Sequence, residues 1–471
     1  MPSKGTTSPE LLIELDRSKP RGLRAQVEEE LRTAIRSGRL APGTSLPSSR
    51  ALAADLGVTR GVVVDAYDQL VAEGYLRSQQ GSGTIVNAAA PGARRPSRPV
   101  PGRPVVEIDF RPGLPDLDLF PRKAWMRATR EAMQTMARDE LGYIDPRGLA
   151  RLRQVLADYL ARVRGVHADV DRIVVCNGYG HGLSLVATVL RDLGHTEVAI
   201  EEPGYDGNWI GLAAADLKRR TVPVDRDGMD VERLARTRAR CVVLTPAHQN
   251  PTGAVLSPDR RTAVVEWAHD VDGYVIEDDY DAEHRYDRHP TGAIQGLDPD
   301  RVFYCGTTSK SLAPGLRLGW LVLPRPLVEP VVEARRATDL TTSTVLQATY
   351  AAFLERGDLD RHLRRMRTTY RQRRDALVAA LAQHLPEATP VGASAGLHLL
   401  ATLPDDVDER CLADRALERS VRVYPLSGHR LEQDAHAGRG LVLGYGAVTP
   451  EQAERGMRTV AECLHAMRTG S

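Results

Sequence analysis

The chain has no run of 18 or more apolar residues, and Met1–Ser8 shows no charged-then-apolar pattern, so nothing in it reads as a membrane span or a secretory leader. Cysteine is scarce: Cys176, Cys241, Cys305, Cys411 and Cys463 are odd in number and lack the paired spacing of a metal site or disulfide framework. They read as reduced thiols of core or surface, and these absences together predict a soluble, cytoplasmic protein with no membrane partner and no metal. A strong charge of one sign is missing too, the formal net charge being +1. Residues 1–104 nevertheless carry 15 Lys+Arg against 10 Asp+Glu, so the first fifth is the basic part, a modest asymmetry that favours nucleic acid only slightly. What is present is length and apolar content. With 471 residues and 42% hydrophobic composition, the chain can bury a large core and calls for two or three domains.

The first segment runs over residues 11–86. Leu23, Val27, Leu31 and Ile35 recur at three- and four-residue steps and predict a helix that Gly38 stops. Pro42-Gly43 is a turn, Ser48 can cap a helix through Leu56, and after Gly57 a second helix capped by Thr59 should run to about Glu73. Two short helices across a glycine turn form a helix-turn-helix. Tyr75-Leu76-Arg77 and Thr84-Ile85-Val86, joined through Gln79-Gln80-Gly81-Ser82-Gly83, read as a two-stranded wing with a glycine tip. Residues 87–104, rich in Pro, Gly and Arg, predict an extended linker.

From residue 105 to 471 short, continuous, branched apolar runs alternate with helical patterns: Ile173-Val174-Val175-Cys176, Val198-Ala199-Ile200, Cys241-Val242-Val243-Leu244, Tyr274-Val275-Ile276 and Val302-Phe303-Tyr304-Cys305. This pattern predicts a mostly parallel sheet buried on both faces, with ligands beyond the strand ends. Each run is followed by an unusual loop: Asn177-Gly178-Tyr179-Gly180-His181-Gly182, Glu202-Pro203-Gly204-Tyr205, His248-Gln249-Asn250-Pro251-Thr252-Gly253, Glu277-Asp278-Asp279-Tyr280 and Thr307-Thr308-Ser309-Lys310. Singly each is an ordinary turn, cap or solvated face. Together they offer a helix start for a phosphate, a ring to stack, donors for a ring oxygen, a carboxylate for a ring nitrogen and an amine for an aldehyde. Those are the requirements of pyridoxal 5'-phosphate.

The quoted motifs carry two resemblances. Gly38-Arg39-Leu40-Ala41-Pro42-Gly43, Leu46-Pro47-Ser48-Ser49-Arg50, Leu56-Gly57-Val58-Thr59-Arg60 and Glu73-Gly74 resemble the GntR-type winged helix-turn-helix, which implies that Ser48, Arg50, Thr59 and Arg60 lie near groove and phosphates, with Gly61 a departure from that family's larger residue. Residues 105–471 resemble a fold-type I aminotransferase, a large mostly parallel domain with a smaller C-terminal α+β domain, and the fusion resembles the MocR family of transcription regulators. The resemblance implies that Lys310 forms the Schiff base with the cofactor, that Asp278 pairs with the pyridine nitrogen, and that Asn250 and Tyr280 bond the ring hydroxyl oxygen. It further implies that Tyr205 stacks on the ring, that Tyr179, Gly180, Thr307, Ser309 and Arg317 hold the phosphate, and that Tyr143 reaches the partner's cofactor across a homodimer.

One departure stands out. Aminotransferases usually hold a substrate carboxylate with an Arg close before a small-aromatic pair near the C-terminus, but here the run is Leu441-Val442-Leu443-Gly444-Tyr445. Either Arg430 substitutes or the effector is not an ordinary α-amino acid. The expectation is a regulator that binds two operator half-sites as a dimer and senses pyridoxal phosphate or an amine through Lys310. Such a protein would control genes of vitamin B6 synthesis or of amino acid and amine metabolism, with little enzymatic turnover. The alternative is an active aminotransferase tethered to DNA.

Overall fold

The computed structural model describes residue 13 and residues 15–17, 22–79, 83–87, 106–286, 292–432 and 438–469. The chain divides into two compact units, residues 1–102 and 103–471. Apart from Asn87, the expected linker lies outside the described residues, as do residues 80–82 of the wing tip. Among the described residues no helix is long and apolar enough to cross a membrane, and all five cysteines are free.

The first unit is three helices and a wing. Helices α1 (Leu23–Arg36), α2 (Ser49–Leu56) and α3 (Arg60–Ala72) precede strands β1 (Leu76–Gln79) and β2 (Gly83–Val86), which pair antiparallel from Leu76 opposite Val86 to Gln79 opposite Gly83. Val27, Leu31, Val63, Ala66 and Leu70 are fully buried and share one core with Leu52 and Val86, so the apolar stripes read from the sequence do hold the unit together. The Ser48 hydroxyl accepts from the amide of Ala51 and starts α2, and Gly57 ends it in the left-handed conformation at φ 60°. Thr59 occupies the N-cap position of α3 but makes no side-chain capping bond there, so its hydroxyl does not perform the capping the sequence suggested.

The second unit begins with β3 (Ile108–Asp109), α4 (Arg122–Thr135) and α5 (Ala150–Arg164). The alternation follows: β4 (Ile173–Cys176), α6 (Tyr179–Asp192), β5 (Glu197–Glu202), α7 (Asp206–Ala214), β6 (Lys218–Asp225), β7 (Gly228–Met229), α8 (Val231–Ala235), β8 (Cys241–Leu244), α9 (Pro258–Asp270), β9 (Tyr274–Asp279), β10 (Val302–Thr307) and β11 (Gly319–Val322). Their sheet has the order β4-β11-β10-β9-β8-β5-β6-β7, parallel from β10 through to β6. Strand β11, not foreseen as a strand, runs antiparallel to both β10 and β4, which leaves all five expected strands pointing the same way. Neighbours on a strand enter different cores, Val174 one and Val175 another, as the two-residue period of a sheet covered on both faces requires.

Helices α10 (Val328–Arg336), α11 (Thr344–Glu355) and α12 (Asp358–His384) lead to the smaller part. It comprises β12 (Thr389–Val391), β13 (His398–Leu403), α13 (Glu409–Glu418), β14 (Val421–Arg422), β15 (Tyr424–Pro425), β16 (Arg439–Gly444) and α14 (Pro450–Thr469). Its sheet, β12-β13-β16-β15, is antiparallel throughout, and β14 pairs with β3, which ties residue 108 to the C-terminal part. Leu399, Leu441, Leu443, Met457 and Val460 are fully buried in the core beneath it.

Candidate functional site

Because the strands of the large sheet are parallel, their C-terminal ends deliver five loops to one place. There the second unit has a cavity of about 590 Å³, and ten predicted residues line it: Tyr179, Gly180, Tyr205, Asn250, Asp278, Tyr280, Thr307, Ser309, Lys310 and Arg317.

Strand alternation sorts the carboxylates of β9. Asp279 turns to the core, where Arg164 Nε donates to its Oδ2 at 2.7 Å and the Tyr304 hydroxyl at 2.7 Å. Asp278 turns to the cavity, and its Oδ1 is buried with no hydrogen-bond partner. Burial, reinforced by the Asp279 charge, pushes the Asp278 carboxyl well above the usual range, while Lys310 opposes the shift. Burial lowers the Lys310 ammonium, against the attraction of Asp281 and Asp278. A reactive amine needs that direction of shift. The Lys310 loop is pinned from behind, with His284 Nε2 3.0 Å from the Lys310 carbonyl oxygen, and a Cβ placed on Gly113 would lie 3.0 Å from Lys310 Nζ.

At the other end of the cavity α6 starts at Tyr179, with the amides of its first turn free of intrahelical partners. Thr307 Oγ1 and Ser309 Oγ lie 2.9 Å apart, and Arg317 Nη2 donates to the Asn177 carbonyl at 2.9 Å. Hydroxyls, helix-start amides and a guanidinium make an anion cradle. The Tyr179 hydroxyl donates to Asn208 Oδ1 at 2.7 Å, and the rings of Tyr179 and Tyr205 stand 6.5 Å apart. The buried Oδ1 of Asn250 has no partner. An orphan carboxylate oxygen, an orphan amide oxygen, a desolvated amine and an anion cradle within one cavity fit a phosphorylated pyridine aldehyde.

One residue predicted for this site is not brought there, and Tyr143 is expected at the partner's cofactor rather than in this cavity. Tyr143 is 94% exposed on the outside of this chain. Arg430 does not line the cavity: its Nη2 donates to the Gly438 carbonyl at 2.9 Å, which draws the guanidinium toward the start of β16. Sequence reasoning missed Arg111, Tyr424 and His429, which do line it.

In the first unit Ser48, Arg50, Thr59 and Arg60 are all exposed around the starts of α2 and α3, and Arg60 Nε donates to Ser49 Oγ at 3.4 Å, bridging the two helix starts.

Comparison with known proteins agrees with both units. Residues 23–86 match the bacterial regulatory proteins of the gntR family, and residues 108–455 match aminotransferase class I and II. The chain is 33% identical to the probable rhizopine catabolism regulatory protein MocR of Rhizobium meliloti, over 97% of each chain. It is 34% identical to the pyridoxine biosynthesis transcriptional regulator PdxR of Corynebacterium glutamicum, over 93% of this chain and 95% of that one. The crystal structure of the multiple substrate aminotransferase from Thermococcus profundus superposes with a TM-score of 0.71 at 27% identity, covering 79% of this chain and 94% of that one. The aminotransferase body implies pyridoxal 5'-phosphate binding, and the gntR head implies DNA binding. The chain belongs to the MocR-type transcription regulators, in which a gntR-family head precedes an aminotransferase class I and II body.

Proposed function

We propose that the protein regulates transcription in response to the occupancy of the cavity around Lys310, with Ser48, Arg50, Thr59 and Arg60 facing operator DNA. Lys310 Nζ is the covalent anchor for the cofactor's aldehyde carbon. Asp278 receives the pyridine nitrogen, Asn250 and Tyr280 the ring oxygen, Tyr205 the ring face, and Tyr179, Gly180, Thr307, Ser309 and Arg317 the phosphate. When bound, pyridoxal phosphate supplies an electron-poor ring and a carbon at which one amine can replace another. The protein's share is to lower the Lys310 ammonium pKa by desolvation, to hold its loop through His284, and to keep water from the Asp278 carboxyl. The reading rests on the convergence of ten residues from separate loops on one cavity that ends in the unpartnered Asp278 Oδ1.

The body is proposed to dimerise, since Met126, Met133, Leu141 and Tyr143 expose large apolar surface along α4 and the segment after it. Two heads would then read two half-sites. The test is absorption of the protein mixed with pyridoxal phosphate. Native protein should develop a visible band that Lys310→Ala abolishes; an unchanged band in the variant would refute the anchor.

A further inference from the structure

We infer that Arg111 receives the acid group of the effector, and that the effector is therefore an amine that also carries a carboxylate. The inference rests on the proposed role of Lys310 as the point where an amine is held. The cavity has three cationic side chains on its wall, and two are committed. Lys310 is the anchor, and Arg317 is tied to the Asn177 carbonyl beside the start of α6. Arg111 lines the cavity in contact with Tyr424.

Its guanidinium is incompletely used. Nε donates to the Tyr424 hydroxyl at 3.3 Å, and among the described residues neither Nη atom has a hydrogen-bond partner and no carboxylate pairs with the side chain. The nearby Asp109 accepts instead from the Tyr424 hydroxyl at 2.9 Å and pairs with Arg422 at 3.6 Å. A guanidinium fixed through Nε with both Nη atoms free presents the planar fork that matches a carboxylate. His429 lines the same cavity, and its Nδ1 is buried with no hydrogen-bond partner.

The backbone fixes where the fork sits. The Phe110 amide donates to the Arg422 carbonyl at 3.0 Å, and its carbonyl accepts from the Gly444 amide at 2.9 Å. Any side chain at Gly444 would collide with the Arg111 carbonyl, so the β16 end packs directly on this segment. Two residues further on, Gly113 abuts Lys310 Nζ. Two residues of extended chain span at most about 7 Å, so the stem of Arg111 starts within reach of anything held at Lys310. A rigid donor pair at one end and an amine site at the other select for a short molecule with both groups.

The test titrates cofactor-loaded full-length protein with glycine, 4-aminobutanoate, 6-aminohexanoate and n-butylamine, following the visible band. Arg111→Gln should raise the half-saturating concentration of the responding carboxylated amines by about tenfold to a hundredfold while leaving n-butylamine within about twofold. Arg111→Lys, which keeps the charge and loses the fork, should fall between. Tyr424→Phe, which releases Nε, should weaken the carboxylated amines less than Arg111→Gln does. Equal effects on both classes of amine, or none, would overturn the assignment. So would loss of the band itself in both Arg111 variants, since Arg111 would then be holding the cofactor. A native protein whose band no amine perturbs would instead refute amine sensing, and this inference with it.

Discussion

His248 Nδ1 lies 2.9 Å from Asp281 Oδ2 and 3.2 Å from the Tyr280 hydroxyl oxygen, and the side chains of His248 and Asp281 are 0% and 2% exposed. A carboxylate only accepts, so the proton between His248 and Asp281 sits on Nδ1, and the Tyr280 hydroxyl is held among His248, Asp281 and Asn250. Burial raises the Tyr280 phenol well above its ordinary value, so the hydroxyl keeps its proton. The pair thus positions the Tyr280 hydroxyl, which lines the cavity, without lining it itself. Asp281→Ala should destabilise the body by about 1–3 kcal/mol, because it strands a buried imidazole nitrogen. Urea denaturation measures this, and stability equal to native would show that the pair contributes nothing.

How much of this was legible in the sequence follows from where each residue comes from. Asp278, Asn250 and Lys310 were readable because each follows an uninterrupted run of branched apolar residues, and polar residues at the ends of parallel strands face one place. Of the lysines in the described residues, Lys123 and Lys218 are exposed and Lys310 alone is withdrawn from solvent, which no local pattern announces. Arg111 and His284 were missed because long-range packing puts them there: β3 pairs with β14, more than 300 residues away, and His284 reaches the Lys310 carbonyl from the loop after β9. Arg430 misled because sequence proximity to His429 says nothing of direction: His429 lines the cavity while its neighbour turns to Gly438. Strand β11 was hidden in the flank of the lysine motif, where Pro314–Leu316 form a 3-10 turn that Arg317 ends at φ 50° just before the strand begins.

A pH dependence of stability follows from Glu201, a fully buried carboxyl that accepts from Thr245 Oγ1 at 2.6 Å and from Gln249 Nε2 at 3.3 Å. Burial pushes its pKa up to about 7, despite these bonds. In the unfolded chain a glutamate ionises near pH ~4.3, so between there and pH 7 the unfolded state loses its proton while the folded state keeps it. The stabilisation attached to Glu201 is complete below that window and is lost as pH rises through 7. Glu201→Gln, which cannot ionise, should gain stability relative to native between pH 5 and pH 8 by up to about 3 kcal/mol. Denaturant midpoints at the two pH values read it directly; a constant difference between the proteins would contradict the shift.

In the head, capping and DNA contact fall on neighbouring residues and can be separated. Ser48→Ala removes the hydroxyl that accepts from Ala51 and should lower the stability of the first unit by about 1 kcal/mol. Arg50 and Arg60 are exposed and cap nothing, so Arg50→Ala and Arg60→Ala should leave its melting unchanged within about 0.5 kcal/mol. Each should nevertheless weaken operator binding by on the order of 1–3 kcal/mol where it reads a base. Melting together with operator titration at fixed salt decides; binding losses that merely track stability losses would remove both arginines from the interface.

Sensing and turnover part company at Asp278. A carboxylate against a ring nitrogen keeps that nitrogen protonated and the ring electron-poor, which matters for breaking bonds at an amine's α-carbon more than for holding the ring in place. The Asp278 site is suited to that role, since its Oδ1 is buried without a partner while Asp279 is spent on Arg164 and Tyr304. Asp278→Asn keeps the shape and removes the charge. If the protein is a sensor, the variant should still take up cofactor with weakened affinity and still change its operator binding when amine is added, while any amino-group transfer to an oxoacid falls at least about a hundredfold. Three readings on one variant are needed: the visible band, amino-group transfer, and amine-dependent operator binding. Loss of the DNA response in step with transfer, with the cofactor fully bound, would reject the sensor and identify the body as a working aminotransferase carried by a DNA-binding head.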